Sequence, residues 1–170
     1  MRELLVVALV PLFWCAFGGL CGSVEFVKLT TFAGYWRGVG TDRALPMFSL
    51  QQTTCGADVN ASISTMKILV SCTGEAGLSK EIEIEAAIVG DEITGNLSQK
   101  TTLPIIPSTV VTGAITGHRG PDFAVFDVVP DFFPKVAVTL QAQGTTSFTL
   151  YASMGEAELM SVSFHRSRKP

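Results

Sequence analysis

Histidine, tryptophan and tyrosine each occur only twice in 170 residues, and charged side chains make up just 16% of the chain. Zinc needs three or four convergent Cys, His or carboxylate ligands. Neither His118 nor His165 has such company in the sequence, so no metal site is expected. With 12 Lys+Arg against 15 Asp+Glu the net charge is −3. The basic excess that nucleic acid or a polybasic membrane contact requires is therefore missing. There is no Gly-x-Ser-x-Gly elbow. The Gly38-x-Gly40 pair falls inside a strand pattern and opens no helix, so it is not a dinucleotide loop. Asp91 and Glu92 share a turn, with no second acid placed opposite them. These absences set enzymes and cofactors aside and point to a non-catalytic protein.

An uncharged apolar run covers 4–20, LLVVALVPLFWCAFGGL, behind Arg2 and ending in the small-residue stretch Gly18, Gly19, Cys21, Gly22 and Ser23. This pattern reads as a signal peptide over 1–23, leaving one domain over 24–170 and a periplasmic or secreted product. The run is short for a membrane span and contains Pro11, so membrane attachment is expected only through an uncleaved signal. Cys15 and Cys21 leave with that segment, and an even pair, Cys55 and Cys72, remains. In an oxidising compartment the two are expected to form a disulfide across a β-hairpin. Asn60-Ala61-Ser62 and Asn96-Leu97-Ser98 match glycosylation sequons, which matter only in a eukaryotic host.

Beyond Thr30 the apolar residues alternate with polar ones in short runs broken by Gly, Pro, Asn, Asp and Ser. Ile82, Ile84, Ala86 and Ile88 share one face, while Glu81, Glu83 and Glu85 share the other and form a solvated row. Val136, Val138 and Leu140 alternate in the same way, as do Phe148, Leu150 and Ala152. Period-two patterning of this kind predicts antiparallel strands with one wet and one dry face. The predicted strands are 33–41, 48–56, 64–73, 80–89, 92–100, 109–117, 122–129, 135–142, 145–152 and 157–166. The expected fold class is all-β, an up-and-down barrel of about 8–10 strands, behind a signal-peptide helix. Closure would remove the edges that so apolar a chain would otherwise expose.

In a strict meander, successive connections alternate between the two ends. One end receives 57–63, 89–92, 117–121 and 142–145, which are mostly short and polar. The other receives 42–47, 74–79, 101–108, 130–134 and 152–156, among them Arg-Ala-Leu-Pro-Met, Leu-Pro-Ile-Ile-Pro and Val-Pro-Asp-Phe-Phe-Pro. Leu103, Ile105, Ile106, Phe132 and Phe133 thus gather at one rim, where they either plug the barrel or meet a ligand or partner. Inward Gly34, Gly38 and Gly40 would free interior space, or relieve bends at corners.

The first strand, Phe32-Ala33-Gly34-Tyr35-Trp36-Arg37-Gly38-Val39-Gly40-Thr41, resembles the Gly-x-Trp-x-Gly-x-Gly opening of calycin-type barrels, the lipocalins and especially the nitrobindin-like proteins. That resemblance implies a Trp at the closed base, with a basic residue from the end of the last strand stacked over it. Arg166 ends the last strand on the same face as Met160, Val162 and Phe164, so Trp36 and Arg166 are the expected barrel-closing pair. Nitrobindin-like proteins hold haem through a late-strand His. His165 departs from that arrangement, because it shares its face with Ser161 and Ser163. The plan of signal, Trp strand, Cys pair, Ile-x-Gly strands and closing Val-Ser-x-x-Arg is similar to that of small secreted proteins of alphaproteobacteria. This second resemblance implies a compartment and no chemistry.

Two functions remain open. One is a barrel that binds a small apolar or amphipathic ligand through the apolar rim, in a cavity lined by Ile68, Val70, Ile84, Val138 and Leu140. The other is an interaction module whose rim docks onto an envelope protein or a protease, as inhibitors with lipocalin-like barrels do.

Overall fold

The computed structural model describes residues 29–44, 48–104, 106–120 and 122–168. The expected signal peptide and Ile105 of the expected rim lie outside the described residues.

Ten strands follow one another along the chain: β1 (Gly34–Asp42), β2 (Gln51–Ala61), β3 (Thr65–Gly74), β4 (Ser79–Val89), β5 (Glu92–Leu103), β6 (Ile106–Arg119), β7 (Phe123–Pro130), β8 (Val136–Gln143), β9 (Ser147–Met154) and β10 (Ala157–Ser167). Each pairs antiparallel with its sequence neighbours, and β10 returns to β1, which closes the sheet into an up-and-down barrel. The alternation explains the closure. Along β4, Ile82, Ile84, Ala86 and Ile88 are buried, while Glu81, Glu83 and Glu85 face outward. On the neighbouring β3, the Lys67 ammonium bridges Glu83 and Glu85. Apolar inside and charged outside is the reverse of the wall a lipid-embedded barrel presents.

Several expected boundaries shift. The second strand begins at Gln51 rather than 48 and runs on to Ala61. The expected connection over 101–108 is mostly strand, because β5 continues to Leu103 and β6 starts at Ile106, with Leu103 paired to Ile106. Pro107 is tolerated there because 106–112 pairs only with β5 among the described residues, and a strand with one neighbour can spare an N–H. His118 lies in β6, paired with Glu92, and not in a turn.

Cys55 and Cys72 stand directly opposite each other on β2 and β3 and are joined by a disulfide. Both are 2% exposed, so the bond lies against the core. For a loop of this length it contributes roughly 3 kcal/mol, chiefly by restricting the unfolded chain.

The glycines of β1 do not enlarge the interior. A Cβ on Gly40 would come within 2.0 Å of the Ser161 carbonyl oxygen, and one on Gly38 within 2.8 Å of the Phe164 ring. Here β10 crosses so close to β1 that only glycine fits, which makes these positions corners of the barrel.

Candidate functional site

Strands that go up and down in strict order leave two different ends. The connections 62–64, 90–91, 120–122 and 144–146 lie at one, together with the start of β1 and the finish of β10. The connections 43–50, 75–78, 104–105, 131–135 and 155–156 lie at the other.

The first end is closed by a short 3-10 turn, Leu29–Phe32, whose Leu29 and Phe32 are buried. Trp36 sits under it and donates its indole N–H to the Phe32 carbonyl at 2.7 Å. Phe148 packs edge-on against Phe32 and Trp36, with centroids 5.6 and 4.9 Å away, and lies flat on Phe164 at 4.8 Å. Trp36 and Arg166 are direct cross-strand partners, and the guanidinium carbon lies 4.5 Å from the indole centroid. The same guanidinium donates to the carbonyls of Thr31, Ala33 and Thr145. Arg166 therefore ties the 3-10 turn and the β8–β9 hairpin to the base in one contact set.

The other end is not filled. A cavity of about 110 Å³ reaches down from it, bounded by β4 to β10. Ten strands enclose a wider space than the eight whose side chains just fill a barrel. At the closed end Trp36, Phe126, Phe148 and Phe164 take up the extra width. Towards the open end the inward positions hold smaller groups, including Val111, Val128, Val138 and Ala152, and the space stays empty. At β10 the register with β9 slips between Glu158 and Met160. This bulge lets Leu159 and Met160 both face the cavity, a re-aiming that bulges commonly produce beside sites.

Of the expected rim, Phe133 lines the cavity and Phe132 projects away from it, 93% exposed. Leu103 is half-buried at the end of β5 and is not part of the wall, and Ile106 opens β6. Ile84 and Val138 of the expected lining are in the wall. Ile68, Val70 and Leu140 are buried in the core without lining the cavity, each opposite a residue that does. The loop 131–135 leans over the mouth. It is held by Thr112 donating to Asp131 at 3.2 Å and by the Lys135–Asp127 ion pair at 3.0 Å.

One polar feature of this end was not expected. Lys80, 3% exposed, lines the otherwise apolar wall beside Arg43 and Gln99. Its ammonium donates to the carboxylate of Asp42, which is 0% exposed, and to the Arg43 carbonyl at 2.9 Å. The signal was available in the alternation. Lys80 precedes Ile82 and Ile84 on the inward face, and Asp42 continues the parity of Trp36, Gly38 and Gly40. Burial pushes the Asp42 carboxyl above its ordinary value, while Lys80 pulls it back down. The second carboxylate oxygen of Asp42 and the side-chain oxygen of Gln51, its cross-strand partner, are buried without a hydrogen-bond partner among the described residues.

His165 is exposed on the outer face of β10. No group of three His, Cys, Asp or Glu side chains among the described residues could hold a metal ion.

No protein-family model matches the chain, and no curated protein matches it. Among solved structures it is similar to a redesigned β-barrel, mFAP1, bound to DFHBI, with 13% identity over 82% of this chain and 98% of that one and a TM-score of 0.46. It is likewise similar to EF1p2_mFAP2b bound to DFHBI, with 12% identity over 85% of this chain and all of the other and a TM-score of 0.48. Those ligands belong to those proteins; the barrel described above rests on its own strand pairing.

Proposed function

We propose that this protein is an exported, non-enzymatic barrel that holds a small apolar or amphipathic ligand in the cavity at its open end. The observation that carries the reading is the asymmetry of filling: one half of the interior is packed with aromatic rings and the other keeps about 110 Å³ free behind apolar walls. Empty apolar cavities of about 150 Å³ stay dry and accept benzene. The enclosed part of the ligand is therefore one ring or a short aliphatic chain, and any polar remainder lies at the mouth, near Arg43 and Lys80. Export is supported by the apolar N-terminal run and by the inward disulfide, which needs an oxidising compartment to form.

Denaturing extraction and mass spectrometry of protein purified gently from its own source should recover one recurrent apolar molecule per chain. An Ala152→Phe variant, which fills the cavity from β9, should be recovered empty while remaining folded. If Ala152→Phe carried the same molecule at the same stoichiometry, the cavity would not be its site.

The alternative, a rim that docks onto an envelope protein, is favoured by one observation, the almost full exposure of Phe132. A Phe132→Ser variant should then lose a partner, or lose self-association on gel filtration. An unchanged monomer with no lost partner would count against docking.

A further inference from the structure

A buried ion pair is a poor stabilising device, because removing two charges from water offsets most of their attraction. Yet this barrel keeps one, Lys80 with Asp42, in an interior that is otherwise almost wholly apolar. Every other described lysine, Lys67, Lys100 and Lys135, is exposed. Lys80 differs in three ways that matter chemically. It lines the ligand cavity. Its amine is buried beside an acid that can take its proton, an arrangement that gives a carbonyl nucleophile. Finally, a carboxylate touches it that has one oxygen bonded to the ammonium and a second, buried oxygen with no hydrogen-bond partner among the described residues.

We infer that Lys80 captures small apolar aldehydes that enter the cavity, forming a protonated Schiff base whose counter-ion is Asp42. This rests on the ligand-site reading above. In the forward direction Asp42 takes one proton from the Lys80 ammonium, the freed amine adds to the aldehyde carbon, and one N–H proton of the adduct passes to its alkoxide oxygen to give a neutral carbinolamine. Asp42 then returns that proton to the hydroxyl, which leaves as water. The nitrogen lone pair forms the C=N bond, and the iminium carries the single positive charge that the ammonium began with. Nothing is oxidised or reduced, and the only other product is one water.

The surroundings suit each step. Burial holds the Asp42 carboxyl above its usual range, as befits a group that must accept and release a proton. Its second oxygen can present the proton to the carbinolamine hydroxyl while the other stays on nitrogen. The apolar walls formed by Ile82, Ile84 and Leu150 keep out the water that would hydrolyse the product. The volume selects against bulky carbonyls and admits a single ring.

Benzaldehyde is the probe, with toluene as its ring-sized analogue that cannot react. Wild-type protein is treated with benzaldehyde and cyanoborohydride, its mass is measured intact, and the modified lysine is mapped by peptide mass. The expected result is one benzyl group per chain, on Lys80, that excess toluene suppresses and that Lys80→Arg loses while remaining folded by circular dichroism. Mapping on the wild-type chain stands even if that variant does not fold. Labelling of Lys67, Lys100 or Lys135 with Lys80 unmodified, while toluene still binds, would overturn the inference and leave the cavity reading intact. Labelling of Lys80 that toluene does not suppress would also overturn it, because capture would not run through the cavity. Failure of both toluene binding and labelling would remove both readings.

Discussion

The two ends of the barrel are built from the same ten strands, and they differ in what points inward. At the base, Trp36, Phe148 and Phe164 stack under a 3-10 turn, and Arg166 pins the turn to the last strand. At the mouth, valines and alanine leave a cavity, and the polar groups are a buried lysine and aspartate instead of a half-exposed arginine. The contrast teaches that closure of the sheet and filling of its interior are separate problems. Hydrogen bonding closes the cylinder, while side-chain volume decides where it is solid. The base then serves stability and the mouth is free to serve binding.

The sharpest way to break this comparison is to truncate the same kind of group at each end. Phe148→Ala, at the centre of the base, should cost about 3–5 kcal/mol in urea unfolding. Val111→Ala, at the cavity wall, should cost only about 1 kcal/mol, because its surroundings are already partly empty. Equal losses would mean that the mouth is as tightly packed as the base.

The ion pair offers a second test at the mouth. Lys80→Met alone should cost about 3–5 kcal/mol by stranding the Asp42 carboxylate, whereas Lys80→Met with Asp42→Leu should recover most of that loss. The pair also has a pH signature. Because Asp42 titrates above its ordinary value of 3.8 in the folded protein, its proton is bound more tightly there than in the unfolded chain. The stability it contributes is present below that ordinary value and is lost as pH rises through the raised one. The stability of wild type relative to the double variant should therefore fall as pH rises above that ordinary value. A flat or rising difference would show that Asp42 is not the buried acid described here.

Reducing the Cys55–Cys72 bond should lower stability by roughly 3 kcal/mol without altering probe binding, since neither cysteine lines the cavity. At the base, Arg166→Ala should cost about 1–2 kcal/mol through the lost indole contact and carbonyl hydrogen bonds, again with binding unchanged. The smallest effect is expected outside the barrel. Lys67→Ala should leave stability nearly unchanged, and any effect should shrink with added salt, because its glutamate partners are exposed.

Much of this was legible in the chain. Period-two alternation places Ile82, Ile84, Val138 and Leu150 inside, and a meander with an even number of strands brings Trp36 and Arg166 to one end without any distance being known. The two cysteines fall in register because each follows the inward parity of its own strand. What the pattern hides is which inward side chains border the space. Ile68 and Ile84 look alike in alternation and stand opposite each other on β3 and β4, yet only Ile84 lines the cavity. The bulge at Leu159 and the turn at Pro104 are also invisible to alternation, because each breaks the register it relies on. Lys80 was readable in position, but a lysine continuing an apolar face looks like the end of a strand until its partner on β1 is seen.

The central claim is that the open half of the barrel is a ligand cavity. It is tested most directly by titrating methyl-labelled protein with toluene and following ¹H–¹³C shifts. The account expects saturable shifts at Ile82, Ile84, Val138 and Leu150, which line the cavity, with Leu29, Ile88 and Ile93 of the packed core at the closed end unmoved. The absence of any saturable shift, or shifts spread evenly through both halves, would contradict it.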